Sequence, residues 1–295
     1  MIPVVTVDLN GVERLARLHS LIDGTPGLFL HATIWKMPNR QTVVGDDLKY
    51  RTFCNNLGYS RGIHHALDPN WDDGQPIIVV NPDLSFEPAQ FWNFRTKWII
   101  ENGDVPALAV PNSIVFPRIL FPDGEFEGRY AFNSAFRQFF EFIVGESVGR
   151  SRKRATKSWA SGSFFLTSVG QIRRYLPADD YFLYAEDLAF ALRSTQGGST
   201  VLFDDEFVVE HERGFRMEDS WKQVLAVIGI SQLYGKCNRI LICGAIFGAM
   251  VRSIVPSRRS SRKTIFPLIR YLVSKRKTQM QFALQMGWAT DDPIL

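Results

Sequence analysis

Two adjacent carboxylates, Glu186-Asp187, end the aromatic run Tyr181-Phe182-Leu183-Tyr184-Ala185 and open a short helical stretch from Leu188 to Arg193. A carboxylate in the first turn of a helix lies against the positive end of the helix dipole, which favours its ionised form. Beside aromatic walls such a group is suited to take a proton from a hydroxyl as a general base. The same two acids would serve equally as a capping pair on a surface helix. A further acid follows the apolar run Ile77–Val80, which leads directly into Asn81-Pro82-Asp83. Open α/β sheets gather ligands at the carboxyl ends of their strands, so a carboxylate there is a candidate for holding a divalent cation. Asn, Pro and Asp are also turn formers, and a plain strand-ending turn accounts for them as well. A second run, Phe207–Val209, ends in Glu210-His211-Glu212-Arg213-Gly214. Gly58 and Gly62 precede a short helix, Ile63 to Leu67. Glycines at a helix start let backbone N–H groups approach a phosphate, although the pattern here is neither a Walker loop nor GxGxxG, and a simple turn fits it too.

The elements that must position these groups are legible as an α/β alternation. Residues 3–8 form a β-branched strand, apolar residues recur at helical spacing from Val12 to Ile22, and Asp23-Gly24-Thr25-Pro26-Gly27 ends that helix before a second strand at Leu28-Phe29-Leu30. Such a strand–helix–strand opening starts a parallel sheet. A polar loop spans 36–48, a helix follows Pro88 over 88–101, and Ala107–Val110 is a strand. Residues 111–130 are rich in Pro and Gly and read as a loop, Phe132–Val144 as an aromatic amphipathic helix, and 151–157 as a basic loop. The segment 159–187 supplies a strand (Ser163–Leu166), a helix (Thr167–Tyr175) and the acidic turn, and Val201–Phe203 and Phe207–Val209 are two short strands.

With 295 residues the chain has room for one large α/β domain and an appendage, or for two small domains, and 45% hydrophobic with 23 Phe implies a sizeable core. A formal net charge of +4 is too mild to imply nucleic acid. Cys54, Cys237 and Cys243 are few and not in metal spacing, as in a reducing compartment. The opening MIPVVTVDLN has no basic leader, and no apolar run reaches the ~18 residues of a spanning helix, so neither a signal peptide nor a membrane span is expected. From Ser220 onward the character changes. Basic residues from Arg252 to Lys277 interleave with apolar Ile265-Phe266, Leu268-Ile269 and Tyr271-Leu272-Val273, with no acid until Asp291. This pattern fits a segment lying on an anionic membrane surface. It equally fits a helical cap with a solvated basic face.

In order, VVTVDLNGVERL, NNLGYSRGIHHAL, VVNPDLSF, ASGSFFL, YFLYAEDLAFALR and VVEHERG resemble the inverting family 2 glycosyltransferases, most closely their rhamnosyltransferase-like branch, over roughly residues 3–240. The resemblance implies a GT-A fold over 1–215, a Rossmann-like mixed, mostly parallel sheet flanked by helices, with a helical, basic region over 216–295. It implies a nucleotide-diphosphate-sugar donor with Mg²⁺ or Mn²⁺ on the diphosphate, held by Asp83 and by His211. Asp187, with Glu186 beside it, matches the base that deprotonates the acceptor. Asn10, Gly58, Arg61, Gly62 and Asn81 fall in nucleotide-sugar-binding segments, and Gly162 and Ser163 in the loop beneath the donor sugar. Arg213 and Arg216 are placed to clamp the diphosphate, or to face solvent, and Trp159 to stack on a sugar or pack in the core.

The implied reaction is inverting transfer of a sugar, rhamnose being the family-level expectation, to a glycan or lipid-linked glycan in cell-envelope polysaccharide synthesis. That places the protein in the cytoplasm at the inner face of the membrane. Three positions depart from the family pattern. Leu30-His31-Ala32-Thr33-Ile34-Trp35 lacks the usual base-reading acid and leaves that task to backbone groups or His31; Ala189 replaces a second acid; His65 stands where Asn is usual. A catalytically weakened sugar-nucleotide-binding member is therefore the alternative.

Overall fold

The computed structural model describes residues 1–9, 12–25, 27–35, 49–53, 58–102, 105–126, 130–131, 134–144, 158–212, 220–253, 262–274 and 278–286. β1 (Ile2–Leu9), α1 (Val12–Asp23) and β2 (Leu28–Trp35) form the opening unit, the two strands parallel from the Ile2–Leu28 pair to the Leu9–Trp35 pair. β3 (Lys49–Phe53) adds to β2 in parallel, and α2 (Tyr59–Ala66) leads to β4 (Pro76–Val80), parallel to β1. β5 (Leu84–Phe86), α3 (Pro88–Trp98), the antiparallel pair β6 (Ile99–Asn102) and β7 (Val105–Leu108), and β8 (Ser113–Leu120) follow. β9 (Tyr130–Ala131) pairs with β10 (Ser158–Trp159), with α4 (Ala135–Val144) between them in the chain. β11 (Phe164–Ser168), α5 (Val169–Tyr175), α6 (Glu186–Gln196) and β12 (Thr200–His211) complete the α/β part. Beyond it come α7 (Ser220–Gln232), α8 (Asn238–Ser253), α9 (Arg262–Val273) and α10 (Gln279–Gln285).

Among the described residues, eight strands make one mixed sheet in the order β3-β2-β1-β4-β11-β8-β12-β5. The alternation of side chains along each strand divides its residues between two buried faces. Val4, Ile78, Val80, Phe164 and Phe207 face α1 and α3, whereas Val5, Ile77, Val79 and Phe165 face α2, α5 and α6. A sheet covered on both faces by helices requires apolar residues at nearly every strand position, which is why Pro76–Val80 is buried throughout. On the first face Phe207 packs against Phe86, Phe91, Phe94 and Phe164. Truncating such a ring to Ala costs about 3–5 kcal/mol.

Two sequence expectations are corrected here. Residues 111–130 are not all loop, because Ser113–Leu120 is a buried strand between β11 and β12. Its Pro117 hides the pattern, since proline cannot donate to a ladder and is normally confined to edges and bulges. The fold satisfies that rule with a register shift in the partner: β12 bulges between Asp204, opposite Pro117, and Val208, opposite Arg118. The same bulge explains why one 12-residue strand reads as two short ones. Asp204 locks it, accepting from the Glu206 and Phe207 amides at 3.0 Å and from the Trp98 indole at 2.5 Å.

The expected boundary at 215–216 falls outside the described residues. The helices beyond it share one core with α6 and α4: Leu188, Ala189 and Phe142 lie among Val224, Ile228, Leu241, Ile242, Leu268 and Phe282. No helix among the described residues is long and apolar enough to cross a membrane.

Candidate functional site

The carboxyl ends of β1, β4 and β12 and the start of the antiparallel β11 meet at one edge of the sheet. Each brings a polar residue there. Asn81, just past β4, donates its N–H to the Ser163 carbonyl at 2.7 Å. Asp83 follows two residues later, and its carbonyl accepts the Glu212 N–H at 3.0 Å, which ties the Asp83 turn to the end of β12. His211, the last residue of β12, therefore reaches Asp83: its Nε2 stands 3.4 Å from Asp83 Oδ1. Its other ring nitrogen, Nδ1, is 3.4 Å from Ser163 Oγ, which shares a 2.6 Å hydrogen bond with Ser161. Burial pushes the Asp83 carboxyl up, but the hydrogen bond and charge of His211, a backbone N–H and the Arg14 guanidinium outweigh it and hold the carboxyl below its ordinary range. Asp8, at the end of β1, is buried.

The other acidic pair arrives on α6. Tyr184 and Ala185, immediately before it, both have left-handed backbone, φ 67° and φ 73°. For non-glycine residues this conformation costs of order 1–3 kcal/mol each, and such strain concentrates at functional turns. The turn aims the first residues of α6 back at the sheet edge. Asp187 Oδ2 accepts the Gly162 N–H at 2.9 Å, and Oδ1 accepts the Leu188 N–H at 2.7 Å. The capping role open to this pair is thus partly filled: with Ala185 as a cap residue lacking a polar side chain, one Asp187 oxygen serves the helix and the other leaves it. Gly162 has no side chain because there is no room for one: a Cβ there would lie 2.8 Å from Asp187 Cβ.

Glu186 is different. It is buried, its Oε2 has no hydrogen-bond partner among the described residues, and burial together with the neighbouring Asp187 charge raises its pKa well above the ordinary value. Glu186 thus holds its proton more firmly than an ordinary carboxyl, whereas Asp187 has both oxygens fixed by backbone donors.

Asp187 bonds to Gly162, the next residue, Ser163, contacts His211, and His211 contacts Asp83. The two acids separated by more than a hundred residues of sequence are thus joined through the single segment Ser161–Ser163. Tyr59, the first residue of α2, stands among them. Its hydroxyl donates to the Gly162 carbonyl at 3.2 Å, and burial plus the charges of Glu186, Asp187 and Asp83 push it well above the ordinary 10.0. Sequence reasoning passed over Tyr59; the only cue was its place directly after Gly58. Arg14 was passed over also, being one of two arginines on α1.

The remaining expected residues have more modest places. Gly58, at φ 87°, brings α2 against the Phe182 carbonyl, which accepts the Tyr59 N–H at 3.1 Å. Gly62 lies inside α2 with its carbonyl accepting from Thr33 Oγ1 at 2.7 Å, so it packs the helix on β2. Arg61 pairs with Asp179 at 3.1 Å. Asn10, Arg213, Arg216 and the Trp159 side chain lie outside the described residues. His31, offered for reading a nucleotide base, sits in the middle of β2, its ring 4.8 Å from that of Trp71 and its Nδ1 3.1 Å from the Ala66 carbonyl. Ala189 is fully buried in the core that α6 shares with the C-terminal helices, where an acid would be desolvated without a partner.

The donor set suits a hard divalent cation only in part. Asp83 offers a carboxylate oxygen and His211 an imidazole nitrogen, and no group of three or more His, Cys, Asp or Glu side chains gathers among the described residues. That fits ions such as Mg²⁺ that take one or two protein ligands and complete their shell with substrate phosphate and water. His211 as a nitrogen donor suits Mn²⁺.

No family model matches the chain, and no curated protein matches it. Among solved structures the chain is similar to one described as GalNAc-T7 with UDP, GalNAc and Mn²⁺, with a TM-score of 0.52 at 13% identity. The match covers 98% of this chain and 57% of the other, so this chain spans little more than half of that protein's length. The likeness shows the fold: a GT-A-type α/β architecture, as the family resemblance implied.

Proposed function

We propose that this chain is an inverting glycosyltransferase that moves a sugar from a nucleotide-diphosphate donor to a hydroxyl of a glycan. One observation carries the reading: Asp83 with His211 and Asp187 converge on the Ser161–Ser163 segment at the carboxyl edge of a GT-A-type sheet. Asp187 takes the proton of the acceptor hydroxyl. The freed oxygen bonds to the anomeric carbon as the carbon–oxygen bond to the diphosphate breaks, and attack from the face opposite the leaving group inverts that carbon. Backbone N–H donors keep Asp187 oriented, and such a base contributes ~10²–10⁴-fold in rate. Asp83 and His211 would hold a divalent cation, which when bound offsets charge growing on the departing diphosphate. The Arg14 charge lies near the same carboxylate.

The solved neighbour contains UDP, GalNAc and Mn²⁺, which supports a nucleotide-sugar, a glycan acceptor and a divalent ion as partner classes. Rhamnose on deoxythymidine diphosphate as donor, a lipid-linked acceptor and a role in cell-envelope polysaccharide rest on the sequence resemblance. A membrane-surface position is supported by side chains as well. From 220 to 290 the chain has no Asp or Glu, and α8 and α9 expose Ile240, Phe247, Met250, Phe266 and Val273. Each basic residue near an anionic bilayer contributes roughly 1 kcal/mol.

The test is transfer from a panel of UDP- and dTDP-sugars with Mn²⁺ or Mg²⁺. Asp187→Asn is expected to retain nucleotide binding while turnover falls ~10²–10⁴-fold. Nucleotide-sugar binding without turnover in the native chain would instead identify a non-catalytic member. For the surface, full-length protein is expected to pellet with vesicles containing phosphatidylserine and not with phosphatidylcholine alone, and Phe247→Ser with Phe266→Ser to weaken that pelleting. Equal pelleting with both vesicle types, or with neither, removes the anionic-surface reading.

A further inference from the structure

The strained turn that delivers Asp187 is held from behind by one side chain from the far end of the chain. Gln279, the first residue of α10, is completely buried, and every hydrogen bond of its amide goes to main chain. Its Oε1 accepts the Phe182 N–H at 2.7 Å and lies 3.3 Å from the Leu183 N–H. Its Nε2 donates to the Leu225 carbonyl of α7 at 2.5 Å and to the Leu183 carbonyl at 2.7 Å, and lies 3.2 Å from the Tyr184 carbonyl. The residues so gripped lead directly into the left-handed Tyr184-Ala185 pair and then into Glu186-Asp187.

The rest of α10 and α7 is arranged around that grip. Gln279's own N–H is held by Gln232 Oε1 at 2.8 Å, and the Met280 N–H reaches the Asp180 carbonyl at 3.2 Å. Thr278 and Gln281 form a reciprocal capping box that fixes the start of α10. Gly229 of α7 stands where a Cβ would lie 2.8 Å from both Gln279 Nε2 and the Tyr184 carbonyl. From the opposite side, Tyr59 N–H bonds to the Phe182 carbonyl. The turn is thus clamped between α2 and the C-terminal helices, and only an amide carries both the acceptor and the donors this site uses.

We infer that Gln279 is a positioning residue for Asp187: the C-terminal helices set the geometry of the proton-accepting turn, in addition to any contact they make with a surface or partner. In its catalytic form the inference rests on the proposed transferase reading, whereas the mechanical form does not. Gln279→Met keeps the length and bulk of the side chain and removes all five contacts. It is compared with Leu241→Ala, which opens the shared core on α8 and removes none of the Gln279 hydrogen bonds to the turn.

Gln279→Met is expected to lower kcat by at least about tenfold with the donor KM within about threefold of native, because a misplaced base slows the chemical step and leaves donor binding largely intact. It is also expected to speed amide hydrogen exchange of the peptide spanning 181–188, while Leu241→Ala at a matched fall in Tm leaves both readouts near native. Turnover of Gln279→Met within about twofold of native, or an equal loss in Leu241→Ala, overturns the inference. If Gln279→Met does not fold, Thr278→Ala loosens the start of α10 and is expected to shift both readouts the same way by less; no shift overturns the inference. If the native chain transfers no sugar from any donor, the transferase reading has failed by itself. The exchange comparison then decides alone: 181–188 opening in Gln279→Met but not in Leu241→Ala upholds the clamp, and unchanged exchange removes it.

Discussion

Replacing Gly162 by Ala places a methyl group where Asp187 already stands. The added carbon would lie 2.8 Å from Asp187 Cβ and 3.6 Å from its Cγ and Oδ2. Carbon atoms in ordinary contact are ~3.5–4.0 Å apart, so the two segments must separate by ~0.7 Å or more. Gly162 itself has little freedom to retreat, because its carbonyl accepts from Tyr59 and the next residue, Ser163, is bonded through its carbonyl to Asn81. The displacement therefore falls on Asp187. Its 2.9 Å bond to the Gly162 N–H would lengthen to about 3.6 Å, no longer a hydrogen bond.

A misplacement of ~1 Å costs as much as ~10²-fold in rate, so Gly162→Ala is expected to lower kcat by roughly 10- to 10²-fold. The donor KM should change far less, and the overpacking should cost about 1–3 kcal/mol of stability. Steady-state transfer with donor and acceptor varied separately, alongside thermal melts, measures both. A folded Gly162→Ala protein with turnover within about twofold of native refutes the reasoning, because Asp187 would then tolerate a displacement that a positioned base cannot.

Glu186 gives a pH prediction. Its folded pKa lies above the ordinary 4.5, so the stability linked to its proton is present at low pH and is lost as pH rises through the folded value. Glu186→Gln, a neutral isostere, is expected to match the native Tm below the ordinary 4.5 and to flatten the fall that the native protein shows above it; melts across the pH range show whether the two curves diverge. Asp83→Asn and His211→Gln are each expected to raise the Mn²⁺ concentration giving half-maximal turnover by at least about tenfold, about 1.4 kcal/mol of binding, as read in metal titrations after chelator treatment. Asp204→Ala leaves the two bulge amides and the Trp98 indole without their acceptor and is expected to cost about 2–3 kcal/mol in denaturant melts, with turnover per folded molecule unchanged.

The alternation of β-branched runs with helical periods was enough to give an α/β sheet, because a strand buried on both faces must be apolar throughout, and Pro76–Val80 shows that directly. Asp83, Asp187 and His211 were legible because each ends a run or opens a helix, the places where a chain leaves its core. β8 was not legible, since Pro117 is compatible with a central strand only when its neighbour bulges, and the bulge belongs to β12. Glu186 and Asp187 are adjacent letters with opposite fates, one buried with an oxygen that meets no hydrogen-bond partner among the described residues and one held by two amides. That difference comes from surroundings contributed by Gly162 and the helices packed on α6, not from the pair itself. Tyr59 and Gln279 carry no mark in the sequence, because a tyrosine after a glycine and a glutamine near a chain end are common. By itself the sequence determined which residues have chemistry to offer and that Asp83 and His211 would follow strands while Asp187 opened a helix. Only the tertiary structure decided which carboxyl is buried, which is held by backbone donors, and what holds the turn before them, since burial and hydrogen bonding are set by neighbours up to a hundred residues away in the chain.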